Sequence, residues 1–178
     1  MLLLRFMMSS NFTRCRTSPI ERFSLQELSE FPQRISELLE GLTHNQLTNK
    51  PTPEEFSFVE HVCHLRDIER EGYAVRIRRL LEEEHAQLKD IDGTRLALER
   101  DYNAQNVGES LQSFAEARRD NILLLKGTVE EQLSRKAELE GVGEITLRRL
   151  VEMMHEHDES HLDEMTTLRT RLLRAAAV

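Results

Sequence analysis

Residues 146–174 read TLRRLVEMMHEHDESHLDEMTTLRTRLLR, and this run decides the fold. Leu147, Leu150, Val151, Met154, Met165, Leu168 and Leu172 recur at three- and four-residue intervals. That spacing lays apolar side chains along one stripe of an α-helix, which needs other helices to cover it. Arg169, Arg171 and Arg174 in the last turns suit the negative end of the helix dipole.

Three further segments carry the same periodicity. The first spans residues 24–42, with Pro32 either kinking it or starting its main run, and Gly41 as its stop. The link THNQLTNKPTPEE holds two of the four prolines and is a loop. The second helix opens at Ser57-Phe58-Val59-Glu60, a capping box in which Ser and Glu side chains bond each other's free backbone N–H groups, and runs to about Glu84. Residues 86–107, with Asp92-Gly93 and Asn103, form a long connection containing a short helical piece. The third helix covers 109–129, with Leu111, Phe114, Ala115, Ile122 and Leu125 inward, and Gly141-Val142-Gly143 breaks the chain before the fourth. The result is an all-α four-helix bundle with a long connection between helices 2 and 3.

Composition supports this. The 178 residues hold 7 Gly, 4 Pro, 5% aromatics and no Trp, too few turn and aromatic residues for a β-sandwich. A net charge of −8 argues against nucleic acid as a partner, since phosphate binding needs a basic surface. Cys15 and Cys63 make no disulfide framework. MLLLRFMM is too short to span a membrane, so the chain is expected to be soluble and cytoplasmic. Residues 1–20 are expected to be a poorly packed extension, with Met7 or Met8 as alternative starts, ahead of the domain at 21–178.

Chemistry concentrates in the histidines. Five of seven fall in two clusters, His61/His64 and His155/His157/His161. His157 and His161 lie one helical turn apart, so both rings can reach one metal ion. On the wheel His161 is near mid-stripe and His157 within about 50° of it, while His155 points more than about 100° away, toward solvent. The alternative is two core histidines hydrogen-bonded to other helices. His61 and His64 both fall off the average apolar direction of helix two. Periodicity leaves open whether they join a site at one mouth of the bundle or lie on the surface.

Ser57-x-x-Glu60-x-x-x-His64-Leu65-x-Asp67-x-Glu69, then Gly143-x-x-Thr146-Leu147, then His157-Asp158-x-x-His161-Leu162 resembles the DinB-like superfamily over residues 24–172. The resemblance implies an up-down-down-up four-helix bundle, commonly a homodimer. It also implies a metal held by three histidines: His64, His157 and His161. His61 and His155 match no ligand position. Relatives include thiol-dependent transferases and isomerases, so a small-molecule substrate and a low-molecular-weight thiol are also implied. Phe56 stands where the family often has Trp, and Glu164 where it often has Gln.

Three neutral imidazoles with open coordination positions describe a catalytic site, and they suit Zn, Ni or Fe without choosing among them. Together with the resemblance, this implies a metal-dependent transferase or hydrolase. Asp67, Asp158 and Glu164 are expected at the surface, and Cys63 in a small buried role. Two readings compete. Glu82-x-x-His85 and Glu152-x-x-His155 fit a di-iron carboxylate bundle. A non-catalytic dimeric bundle would use the fold as a ligand-binding or interaction module.

Overall fold

The structure, a computed structural model, describes residues 22–176. The extension expected over residues 1–20 lies outside the described residues. In chain order the elements are α1 (Arg22–Leu39), α2 (His44–Leu47), α3 (Phe58–Asp67), a π-helical segment (Ile68–Tyr73) and α4 (Ala74–Glu82). There follow β1 (Ala86–Leu88), α5 (Gly93–Glu99), α6 (Val107–Lys126), α7 (Glu130–Leu133), β2 (Lys136–Leu139), β3 (Gly143–Thr146) and α8 (Leu147–Ala176).

The four bundle members are α1, the continuous run α3–π–α4, α6 and α8. Helix α1 packs on α6 and α8, and α3 packs on the same two from the opposite corner. The Ser57–Glu60 capping box forms as the sequence indicates, with Ser57 N–H donating to Glu60 Oε2 at 2.8 Å. Phe31, Ile35, Phe58, Val62, Phe114 and Met165 make one apolar cluster. Leu28, Ile77, Leu80, Leu125, Leu147, Leu150 and Met154 belong to another.

Two features are absent from the helical reading. A three-stranded sheet closes one end, with β1 parallel to β2 and β2 antiparallel to β3. Ala86, Leu88, Ala137, Leu139 and Ile145 turn into the core, and Gly141 and Gly143, at φ +77° and +99°, make the hairpin turn. Strands of three or four residues are too short to register as periodicity. The connection 86–107 is a cover: Leu96, Ala97 and Tyr102 pack on Val59 and Cys63 of α3. Helix α3 is consequently buried on almost every side, which is why its average apolar direction pointed nowhere useful.

The bundle's midpoint is polar. Arg118 of α6 is 1% exposed. It donates to Asp158 of α8 at 2.5 and 3.0 Å, to Glu69 of the π segment at 2.8 Å and to the Leu28 carbonyl of α1 at 3.0 Å. Pro32 explains the last bond. It sits inside α1 and has no N–H to give the carbonyl four residues back, which is Leu28, so Arg118 supplies the missing donor. Asn121 donates to Glu69 Oε1 at 2.8 Å, and the Phe114 ring faces the guanidinium, 5.0 Å from its centroid. Asp158 is thus buried, where the sequence reading placed it at the surface. It lies on the apolar stripe four residues after Met154, and its charge is matched by Arg118.

Removing Arg118 strands Glu69 and Asp158 without a counter-ion. Arg118→Ala is expected to cost about 3–5 kcal/mol in urea denaturation, with part recovered by adding Asp158→Asn. A loss under about 1 kcal/mol contradicts a central role for this ion cluster.

Candidate metal centre

His64 comes from the last turn of α3, and His157 and His161 from consecutive turns of α8. The structure brings the three together. His64 Nε2 and His161 Nε2 each lie 3.2 Å from His157 Nε2, and one ligand atom from each residue falls within 4.8 Å of the others. A neutral imidazole nitrogen offers one proton or one lone pair, so His157 Nε2 cannot satisfy both neighbours. A cation at the common focus uses all three lone pairs. Nitrogens bound tetrahedrally to one zinc at about 2.0–2.1 Å stand about 3.3 Å apart, close to the observed spacing. The donor set therefore fits a divalent ion.

Electrostatics keep the rings in the ligating form. Burial, reinforced by neighbouring histidines, pushes His161 down to about 2. Burial with His64, Arg118 and Arg76 nearby pushes His157 down to about 3, and burial alone pushes His64 down to about 4 against the pull of Asp67. His61 falls to about 4 by burial and by the proximity of His64. Neutral imidazoles bind metal without first losing a proton.

The surroundings fix the rings. Phe56 packs on both His61 and His64, at 5.5 and 5.6 Å between centroids. Tyr73 meets His157 edge-on at 6.0 Å and donates to the Met153 carbonyl. The π turn that places Tyr73 there also aims Glu69 at Arg118. Gly93 opens α5 directly against His64: a Cβ there would lie 2.2 Å from Cε1 and 2.5 Å from Nδ1. The sequence marks Asp92-Gly93 as a turn; the structure adds that no side chain fits. His64 Nδ1 is buried without a hydrogen-bond partner.

A cavity of about 690 Å³ opens over His61, His64 and His161. Its mouth carries Glu54, Glu55, Asp163 and Glu164 against Arg171, which is bonded to Glu55 at 2.8 Å. Small neutral or cationic molecules meet less repulsion there than anions.

The family model for the DinB superfamily matches residues 27–165. The chain belongs to the DinB superfamily. No curated protein matches it in sequence. Among solved structures it is similar to YfiT from Bacillus subtilis, described as a probable metal-dependent hydrolase with an unusual four-helix bundle topology. That match covers 84% of this chain and 86% of YfiT at a TM-score of 0.78 and 22% identity, a likeness of fold.

Within this DinB fold the other sequence readings separate. His155 is half-buried and meets Glu27 at 3.0 Å, on the side of α8 away from the cavity. His61, which matched no ligand position, is buried with its Nδ1 2.9 Å from His161 Nδ1. Glu164 is 56% exposed, as a solvated charge would be, yet its carboxylate lies 3.9 Å from both His61 Nε2 and His161 Nδ1. Asp67 is not at the surface. It is buried and accepts from Arg66, Arg100 and the Tyr102 hydroxyl, at 2.6, 2.6 and 2.7 Å. Two of these partners come from the long connection, whose path no local pattern reveals. Cys63 is buried beside Ser110, and burial pushes its thiol up, away from the reactive thiolate. Glu82 and His85 are exposed, and neither E-x-x-H pair belongs to a convergent ligand group among the described residues.

The four depressed histidines make stability pH-dependent. In the unfolded chain they protonate near 6.5, whereas in the metal-free native state they stay neutral to about 4 or below. Their contribution is present above pH 6.5 and lost as pH falls. Asp158 acts oppositely, since burial raises its carboxyl to about 6 and the native state takes up that proton first. Near pH 5 unfolding should therefore bind a net of about three protons. Denaturant titrations of the metal-free protein from pH 7.5 to 5 should show stability falling ever more steeply, reaching that slope near pH 5. A flat profile contradicts the neutral-histidine cluster.

Proposed function

We propose that this chain is a divalent-metal-dependent hydrolase acting on a small molecule, with His64, His157 and His161 as the metal ligands. The observation that carries the reading is the convergence of three imidazole nitrogens, two of them 3.2 Å from the third, beneath an open cavity. A three-imidazole divalent ion keeps coordination positions open and, when bound, lowers the pKa of a water to supply a nucleophile near neutral pH. The chain's own residues do the rest. Phe56 walls one side of the cavity and holds two rings by edge and tilted contacts. Thr94 and Thr167 offer hydroxyls to a substrate's polar groups, and the acidic mouth selects against anions. Zn, Ni and Fe(II) all suit the ligand set. The reading includes a homodimer, carried by the family resemblance alone, and a cytoplasmic location, carried by the sequence composition alone. The same centre would serve a thiol-dependent transferase, the resemblance's other implication.

The test is metal-linked stability. Protein stripped by a chelator should gain about 2.7 kcal/mol when Zn, Ni or Fe(II) is added at a hundredfold excess over its dissociation constant. His161→Ala should abolish that gain and His155→Ala should leave it intact. No thermal shift with any of the three metals at pH 7.5 would favour the non-catalytic ligand-binding or interaction module.

A further inference from the structure

The ring of His61 belongs to neither the ligand set nor the apolar core, although it is 3% exposed. Its Nδ1 stands 2.9 Å from His161 Nδ1, a full hydrogen bond across 100 residues of chain. A bond between two imidazole nitrogens requires one to carry a proton and the other a lone pair. Two observations bear on which. His161 turns its Nε2 toward His157 Nε2, at 3.2 Å, and in the three-histidine reading that nitrogen offers its lone pair to the ion. A neutral ring with that lone pair keeps its proton on Nδ1, which must then donate to His61. The His61 proton is left on Nε2, where the Glu164 carboxylate, 3.9 Å away, favours it electrostatically. Phe56 closes the arrangement by packing edge-on against His61, at 82° between planes, so the ring cannot turn freely.

We propose that His61 is a positioning residue: it accepts the Nδ1 proton of His161, fixing that ring's tautomer and orientation so that Nε2 is presented to the metal. The proposal rests on the three-histidine reading and adds a fourth histidine acting through one of the three. His64 gives the contrast, because its Nδ1 is buried without a partner and its ring is held by packing against Phe56 and Gly93. A ligating histidine whose second nitrogen is hydrogen-bonded is oriented and made more basic, and removing such a partner costs about 10–100-fold in metal affinity. No sequence signal assigns this role, since position 61 lies off the apolar direction of its helix.

The test uses the full chain in three parts. Long-range ¹⁵N–¹H spectra of the metal-free wild-type protein should show His161 protonated at Nδ1 and His61 at Nε2. Zinc affinity, measured by competition with a chromophoric chelator, should fall about 10–100-fold in His61→Leu and largely recover in His61→Asn, whose amide oxygen can accept near the Nδ1 position. The metal-free melting temperature of each variant separates a lost hydrogen bond from a lost fold. His161 protonated at Nε2, equal zinc affinity in wild type and His61→Leu, or a second zinc bound by His61, His161 and Glu164 at two ions per chain would each overturn the proposal. If wild type binds no zinc, the three-histidine reading fails, and the tautomer spectra still decide whether His61 orients His161.

Discussion

Four helices meet on one guanidinium. Arg118 of α6 reaches the Leu28 carbonyl in α1, Glu69 in the π segment and Asp158 in α8, so each of the other three bundle members contributes one partner. The cluster is buried, and its worth lies in placement more than in net energy, because buried ion pairs are expensive to desolvate. An apolar stripe on α8 could slide by a turn and still bury leucine and methionine. Asp158 cannot slide without leaving Arg118 behind. That fixes the register of the helix that carries His157 and His161, one residue before and three residues after Asp158.

The site follows from this register. Once α8 is pinned, its two histidines face the last turn of α3, where His64 arrives through the capping-box start at Ser57. The cover from residues 93–104 then closes over α3 and presses Gly93 against His64. Rings crowded this closely, in this little water, cannot all be charged, and all four titrate far below their ordinary value. A neutral imidazole cluster with its lone pairs directed inward is a receptor for a cation. Under the proposed metal reading, metal affinity and acid lability would share one physical cause.

Much of the fold was legible because long helices announce themselves. The α8 stripe, the Ser57–Glu60 box and the Gly41 stop all act within one or two turns of chain, where a sequence pattern holds the whole interaction. The inward placement of His157 and His161 was legible for the same reason. Asp158 could have been found by asking what sits between Met154 and Met165 on the stripe, but its acidic character argued for solvent until Arg118 was seen opposite. His64 was reached by resemblance alone, since the wheel assumes one buried face and α3 has nearly none exposed. The short sheet, the Tyr102–Asp67 bond and the His61–His161 bond depend on residues far apart in sequence, and a single chain without relatives offers no local trace of them.

The central claim is that three imidazoles, and no sulfur, hold a divalent ion. X-ray absorption at the zinc edge of the reconstituted protein measures this most directly. The account predicts three imidazole nitrogens at about 2.0–2.1 Å, completed by light oxygen scatterers. A sulfur shell near 2.3 Å, or an all-oxygen shell without imidazole scattering, would contradict it.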